Sequence, residues 1–235
     1  MTAPLTSTSQ PGSNLKITTP IDAVLFDFGL VLSGPPNPAA WARMQAITSL
    51  DEEALHREYW AHRHAYDRGT HKAEAYWQLV ATGNNLSFSP AQVADLIAAD
   101  VDLWTDLNVP MVEWAQELQR SGIRTGILSN IGDAMAVGLL QKFDWLSAFD
   151  HCTWSYALQL AKPELAIYEH AIKGLGTEPA KILFVDDRAE NIEAARMSGM
   201  QAIQYLDHAQ FVDEMYARGF GHLLHLASDK SGSQN

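Results

Sequence analysis

Four polar groups interrupt otherwise apolar stretches of this 235-residue chain. Asp27 follows Ala23-Val24-Leu25-Phe26, Ser129-Asn130 follows Arg124-Thr125-Gly126-Ile127-Leu128, Lys162 precedes Pro163-Glu164, and Asp186-Asp187 follows Lys181-Ile182-Leu183-Phe184-Val185. Adjacent acids repel each other unless a cation or a lysine lies between them, and Mg2+ is typically held by one or two carboxylates plus substrate phosphate and water. Ser129-Asn130 offers a hydroxyl and a side-chain amide beside the free N–H groups of a helix start, a combination suited to phosphate oxygens. The Lys162 point charge can reach both a carboxylate and a phosphate. Taken singly, each group has a plainer role: a turn former or cap at Asp27, a helix cap at Ser129-Asn130, a solvated turn at Asp186-Asp187 and a surface lysine at 162. Together they point to phosphate and metal chemistry.

The elements that must position them follow from apolar patterning. Continuous apolar runs ending at Phe26, Leu128 and Val185, with a shorter run at Met200–Ile203, read as strands buried on both faces. Helical spacing at Val112–Gln119, Ala134–Leu140 and Leu165–Ile172 separates them, so the order strand, helix, strand predicts a Rossmann-like α/β core built on a parallel sheet. Ligands of such sheets bind outside the carboxyl ends of the strands, where the four polar groups fall. Between Leu32 and Leu107 the pattern is helical only, over Ala39–Leu50, Glu52–Arg68, Lys72–Ala81 and Pro90–Leu103. This predicts an inserted α-helical cap domain at 34–107 within a core of 20–33 and 108–227, hinged at Gly34–Pro38 and Thr105–Pro110. Residues 1–19 and 228–235 are small and polar and read as flexible tails.

Composition removes several classes of function. With 16 basic against 28 acidic residues and a formal net charge of -12, the chain has no broad basic surface for nucleic acid. Cys152 is the single cysteine, which excludes an intrachain disulfide and fits a reducing compartment. The opening MTAPLTSTSQPGSN carries neither positive charge nor apolar core, and no run approaches the roughly 18 apolar residues of a membrane span. A cytoplasmic protein without membrane partners is expected.

The motifs Val24-Leu25-Phe26-Asp27-Phe28-Gly29-Leu30-Val31-Leu32, Ile127-Leu128-Ser129-Asn130, Lys162-Pro163 and Phe184-Val185-Asp186-Asp187-Arg188-Ala189-Glu190-Asn191-Ile192 occur in the order and spacing of one family. From Ile21 to about Leu226 the chain resembles the haloacid dehalogenase superfamily of phosphohydrolases with a helical cap after the first motif. The resemblance implies that Asp27 attacks phosphorus and that water then hydrolyses an aspartyl-phosphate. Mg2+ would be held by the Asp27 carboxylate, the Gly29 carbonyl and the acidic pair, one of Asp186 and Asp187 directly and the other through water. Phe28, Gly29, Ser129, Asn130 and Lys162 would surround the phosphoryl group, with Lys162 also catalytic, and Asn191 would brace the acidic loop.

One departure matters. Most phosphatases of this superfamily carry a second Asp two residues after the nucleophile as general acid and base, a group typically worth roughly 100- to 10,000-fold, and here that position is Gly29. The change counts against a phosphomutase. Members with the Asp-x-Gly-x-Val form include sugar-phosphate phosphatases, so the expected substrate is a small phosphorylated metabolite, hexose phosphates first, with nucleotide, flavin and polyol phosphates open. Tyr66, Arg68, His71 and Trp77, around a Gly69 helix break, are the cap candidates for specificity, although helical spacing of the aromatics fits cap core equally. His62 and His64, two apart on a helix, face different ways and do not suggest zinc. Two other readings stand beside the phosphatase: a weakened binding or regulatory protein, and a metal-independent 2-haloacid dehalogenase, which the double acid disfavours.

Overall fold

The computed structural model describes residues 20–226; the two terminal segments expected to be flexible, 1–19 and 228–235, lie outside them. Five parallel strands form one sheet: β1 (Ala23–Phe26), β2 (Arg124–Ser129), β3 (His151–Trp154), β4 (Ile182–Asp186) and β5 (Gln201–Gln204), in the order β3-β2-β1-β4-β5. β1 is central and fully buried, paired to β2 on one side and β4 on the other. The register aligns Phe26 with both Ile127 and Val185, and the Asp27 N–H extends the ladder to the Val185 carbonyl at 2.9 Å. Asp27 and Asp186 therefore emerge side by side at the carboxyl edge.

Helices cover both faces: α5 (Val109–Arg120), α6 (Asp133–Lys142), the one-turn α7 (Ser155–Leu158), α8 (Leu165–Leu175), α9 (Ala189–Met197) and α10 (His208–Ala217). One apolar cluster joins Val24 and Phe26 to Trp114, Leu118, Phe211 and Met215, and another joins Leu25 and Phe184 to Ile167, Tyr168 and Ala195. The strand β3 is absent from the sequence reading. Its His-Cys-Thr-Trp composition lies at a sheet edge with three of four residues half-buried, so no continuous apolar run marks it.

The helical insertion comprises α1 (Pro38–Thr48), α2 (Glu52–Asp67), α3 (Ala73–Thr82) and α4 (Pro90–Leu103), within a few residues of the predicted spans. Asn37 caps α1 by accepting from the Ala39 and Ala40 N–H groups, and a reciprocal Ser89–Gln92 capping box starts α4. Inside, Leu55, Tyr59, Tyr66, Tyr76, Trp77 and Leu96 are buried together, and each such apolar side chain contributes roughly 1.5–3 kcal/mol. The two connections lie side by side. Ser33 and Leu107 form an antiparallel bridge, the Gly34 N–H donates to the Asp106 carbonyl at 2.6 Å, and the Asn108 N–H donates to the Leu32 carbonyl at 3.0 Å.

The insertion rests directly on the core. α4 packs on α6 and α2 on α7, with ion pairs Arg68–Glu164, Lys72–Asp133 at 3.2 Å and Lys142–Asp102 at 2.8 Å. Two glycines permit this approach: a Cβ at Gly132 would fall 2.1 Å from the Tyr66 ring, and one at Gly69, where φ is +83°, would fall 2.3 Å from the Tyr156 carbonyl oxygen.

A charged knot crosses the interior of the insertion. Buried Arg63 meets both Asp100 oxygens at 2.9 and 3.0 Å, Asp67 at 2.9 Å and the Tyr59 hydroxyl, while that hydroxyl donates to Asp100 at 2.7 Å. Its guanidinium also lies 5.0 Å from the Tyr59 ring centroid. Removing one partner strands the other charges away from water. Arg63→Ala is expected to lower stability by about 3–5 kcal/mol, read as a shifted urea midpoint; a loss under about 1 kcal/mol would show that the knot is solvated.

Candidate active site

The site is assembled by loops leaving the carboxyl ends of β1, β2 and β4. After β1 the chain turns sharply over Phe28–Leu32, with Leu30 in the left-handed region at φ 60° and the Leu30 N–H donating to the Ser33 hydroxyl at 3.2 Å. A leucine at that φ is strained by roughly 1–2 kcal/mol, held here by the pairing of the two connections just beyond it. The Phe28 N–H donates to Asp27 Oδ1 at 2.7 Å and fixes the carboxylate.

Lys162 is buried between two carboxylates, its Nζ 2.9 Å from Asp27 Oδ1 and 2.7 Å from Asp186 Oδ2. Its main chain is held by Asn130, whose Nδ2 donates to the Lys162 carbonyl at 3.0 Å and whose Oδ1 accepts from the Lys162 N–H at 2.8 Å. Asp186 is fully buried. It accepts from the Arg188 N–H at 2.8 Å and from Asn191 Nδ2 at 2.9 and 3.1 Å, and the Asn191 carbonyl accepts from the Tyr168 hydroxyl at 3.2 Å. Asp187 is less buried, and Gln204 Nε2 donates to its carbonyl at 2.8 Å.

Oxygens of Asp27, Asp186 and Asp187 all lie within 4.8 Å of one another, and among the described residues this is the cluster of metal-ligating side chains. Burial, only partly offset by Lys162 and reinforced by Asp186 and Asp187, pushes Asp27 up to about 7. Burial and then Asp186 also raise Asp187. Burial opposes the charge on Lys162, yet Asp186 and Asp27 outweigh it and raise its affinity for the proton. When all three are ionised, the carboxylates and one ammonium leave an excess of two negative charges, and the all-oxygen donor set suits a hard divalent cation.

Above this cluster lies a cavity of about 320 Å3. Asp27, Phe28, Gly29, Ser129, Asn130, Lys162, Asp187 and Asn191 form its floor. Its walls are Leu30, Ile131, Met135 and Leu139 from the core, with Trp60, Arg63, His64, Asp67 and Trp104 from the insertion. Burial pushes Asp67 up to about 6 despite Arg63.

The four cap residues singled out from sequence are not among the lining residues. Tyr66 and Trp77 are buried in the core of the insertion, Tyr66 stacked on Tyr76 with centroids 4.7 Å apart. Arg68 is committed to Glu164 at the contact with the core, and His71 lies in the same connection between α2 and α3. The residues that sequence reading missed carry a usable signal: Trp60, Arg63, His64 and Asp67 sit at i, i+3, i+4 and i+7, one face of α2. Asn130 spends its side-chain amide on the Lys162 backbone and positions that lysine.

The chain is 26% identical over 186 residues to drimenol cyclase drtB of Aspergillus calidoustus, covering 79% of this chain and 34% of that one. It is 32% identical over 98 residues to sesquiterpene phosphatase astK of Aspergillus oryzae, covering 41% and 50%. The chain therefore spans a third to a half of the length of these two relatives. Phosphatase MT3486 of Mycobacterium tuberculosis is 25% identical over 186 residues, covering 77% and 86%. In fold, the HAD family enzyme bt-2542 of Bacteroides thetaiotaomicron, solved with magnesium and inorganic phosphate, superposes with a TM-score of 0.64 at 17% identity, covering 78% and 93%. L-2-haloacid dehalogenase of Xanthobacter autotrophicus, with chloropropionic acid covalently bound, gives 0.59 at 17% identity, covering 88% and 87%. The haloacid dehalogenase-like hydrolase profile matches residues 21–199, from the strand before Asp27 through the acidic loop and α9, and the chain belongs to that family.

Proposed function

We propose that this hydrolase is a Mg2+-dependent phosphatase of small phosphate monoesters that works through an aspartyl-phosphate on Asp27. The observation that carries this reading is the trio of carboxylates, two of them paired with one buried lysine, at the floor of a cavity between the core and the insertion. A carbon-centred dehalogenase has no evident use for so much uncompensated negative charge. Asp27, Asp187 and, behind them, Asp186 would hold the cation with the Gly29 carbonyl. Bound there, Mg2+ would offset the repulsion between the carboxylate nucleophile and a phosphate dianion.

The remaining roles belong to the chain itself. The Phe28 N–H and Lys162 hold Asp27 in place for attack on phosphorus. Lys162, the Ser129 hydroxyl and main-chain N–H groups near Phe28 and Gly29 stabilise the phosphoryl oxygens as charge develops on them. Asn130 positions Lys162, and Asn191 positions Asp186. Residues 34–107 act as a cap that excludes water over a core of 20–33 and 108–227. The single cysteine fits a cytoplasmic setting, and among the described residues no helix is long and apolar enough to cross a membrane.

Hexose phosphates are the substrate class favoured by the Asp-x-Gly-x-Val motif, whereas the relative named a sesquiterpene phosphatase favours an apolar organic phosphate. The likeness to a haloacid dehalogenase keeps halide release as the second reading.

Phosphate release from a panel of esters is expected to need Mg2+, to stop with EDTA and to fall to background in Asp27→Asn at unchanged melting temperature. Halide release that persists in EDTA would favour the dehalogenase instead. Asn191→Ala, which frees the Asp186 carboxylate, is expected to weaken Mg2+ binding in calorimetry by about 10- to 100-fold; unchanged affinity would remove Asp186 from the cation site.

A further inference from the structure

Gly29, which stands where the family's general acid would be, borders an aromatic side chain of the insertion. A Cβ added at Gly29 would lie in ordinary van der Waals contact with Trp104, 3.8 Å from its Cζ3. Trp104 follows α4 directly and packs against the apolar clusters of both the core and the insertion. The turn that lacks the acid therefore borders an aromatic side chain.

The rest of the cavity agrees with that chemistry. Beyond the carboxylate floor its apolar surface is Leu30, Trp60, Ile131, Met135 and Leu139 together with Trp104, interrupted by Arg63, His64, Asp67 and Arg188. Trp60 and Leu30 are large apolar side chains left 46% and 39% exposed. Most polar side chains nearby are committed, Arg63 to Asp100 and Asp67, Asn130 to Lys162, and Arg188 to Glu190 at 2.5 Å, while the buried Trp104 Nε1 has no partner and the His64 ring also lines the wall. A polyhydroxylated leaving group would bury hydroxyls against this wall with few partners, and each one left unpaired weakens binding.

Resting on the phosphatase reading, we propose that the preferred substrates join the phosphoryl group to an apolar body through an oxygen that departs as a stable anion, as in aryl phosphates or alkyl diphosphates. In the first step an Asp27 oxygen bonds to phosphorus and the bond from phosphorus to the leaving oxygen breaks. Its electron pair leaves on that oxygen as a phenolate or a phosphate monoester, which takes any proton from solvent. Water then attacks the phosphorus of the aspartyl-phosphate, releasing inorganic phosphate and a proton and restoring the Asp27 carboxylate. Neither step needs a donor at position 29 for the leaving oxygen. An alkoxide leaving group would need one.

The test measures kcat/KM with Mg2+ for 4-nitrophenyl, phenyl and 4-methoxyphenyl phosphate, for octyl diphosphate against octyl phosphate, and for glucose 6-phosphate, with Asp27→Asn as the blank. Expected are a steep rise with the acidity of the leaving phenol and a preference of at least about 100-fold for octyl diphosphate over octyl phosphate, two esters with the same apolar body. The aryl and diphosphate arms separate the two sources of such a leaving group. Trp60→Ala should raise KM for phenyl phosphate about three- to tenfold, more than it lowers kcat. A flat dependence, a preference for glucose 6-phosphate, or a loss in His64→Ala confined to poor leaving groups, which would reveal a proton donor in the cap, would overturn the proposal while Asp27-dependent release upheld the phosphatase. No Asp27-dependent release from any ester would overturn both.

Discussion

The arrangement depends on one buried ammonium placed between carboxylates that would otherwise repel each other. Lys162 lies 2.9 Å from Asp27 and 2.7 Å from Asp186 with almost no exposure, and each of the three would be costly to bury alone. The sheet register sets Asp27 beside Asp186 by pairing Phe26 with Val185. The lysine comes from a different segment, and the Asn130 amide clamps its backbone from the end of β2. Three strand ends are thereby tied together before any ligand is considered. The remaining excess of negative charge is what the proposed cation would offset.

A second constraint acts from above. The insertion is a small helical unit with its own apolar core, yet it carries a buried Arg63 knot whose outer members, Arg63 and Asp67, face the cavity. Such a knot contributes little net stability compared with apolar packing of the same volume, but it fixes the rotation of α2. That rotation decides which face of the helix looks down on the carboxylates. With Tyr66 seated on Gly132 and Trp104 over Gly29, the insertion shapes the space around the leaving group.

Much of this was legible in the sequence because the core strands are buried on both faces and so read as continuous apolar runs ending in polar residues. The runs at Ala23–Phe26, Lys181–Val185 and Arg124–Leu128 became β1, β4 and β2, and the groups after them converge as their positions in a parallel sheet require. β3 was not legible, since an edge strand of His-Cys-Thr-Trp has no such run. The walls of the cavity were harder. On α2 the stripe Tyr59, Arg63, Tyr66 and the stripe Trp60, His64, Asp67 are adjacent and similar in composition, and both contain aromatic and polar residues. The packing of α2 on α3 and α7 turns Tyr59 and Tyr66 inward and Trp60, His64 and Asp67 to the cavity, with Arg63 at the border of both, a tertiary fact that spacing cannot supply.

The central claim is that phosphorus is transferred to Asp27, and the most direct measurement is acid-quenched peptide mass spectrometry of enzyme mixed with Mg2+ and 4-nitrophenyl phosphate. The account predicts a phosphorylated Asp27 peptide that appears within a turnover, decays as inorganic phosphate accumulates and is absent from Asp27→Asn. Phosphate release with no phosphorylated Asp27 at any time, or with the label on another residue, would contradict it.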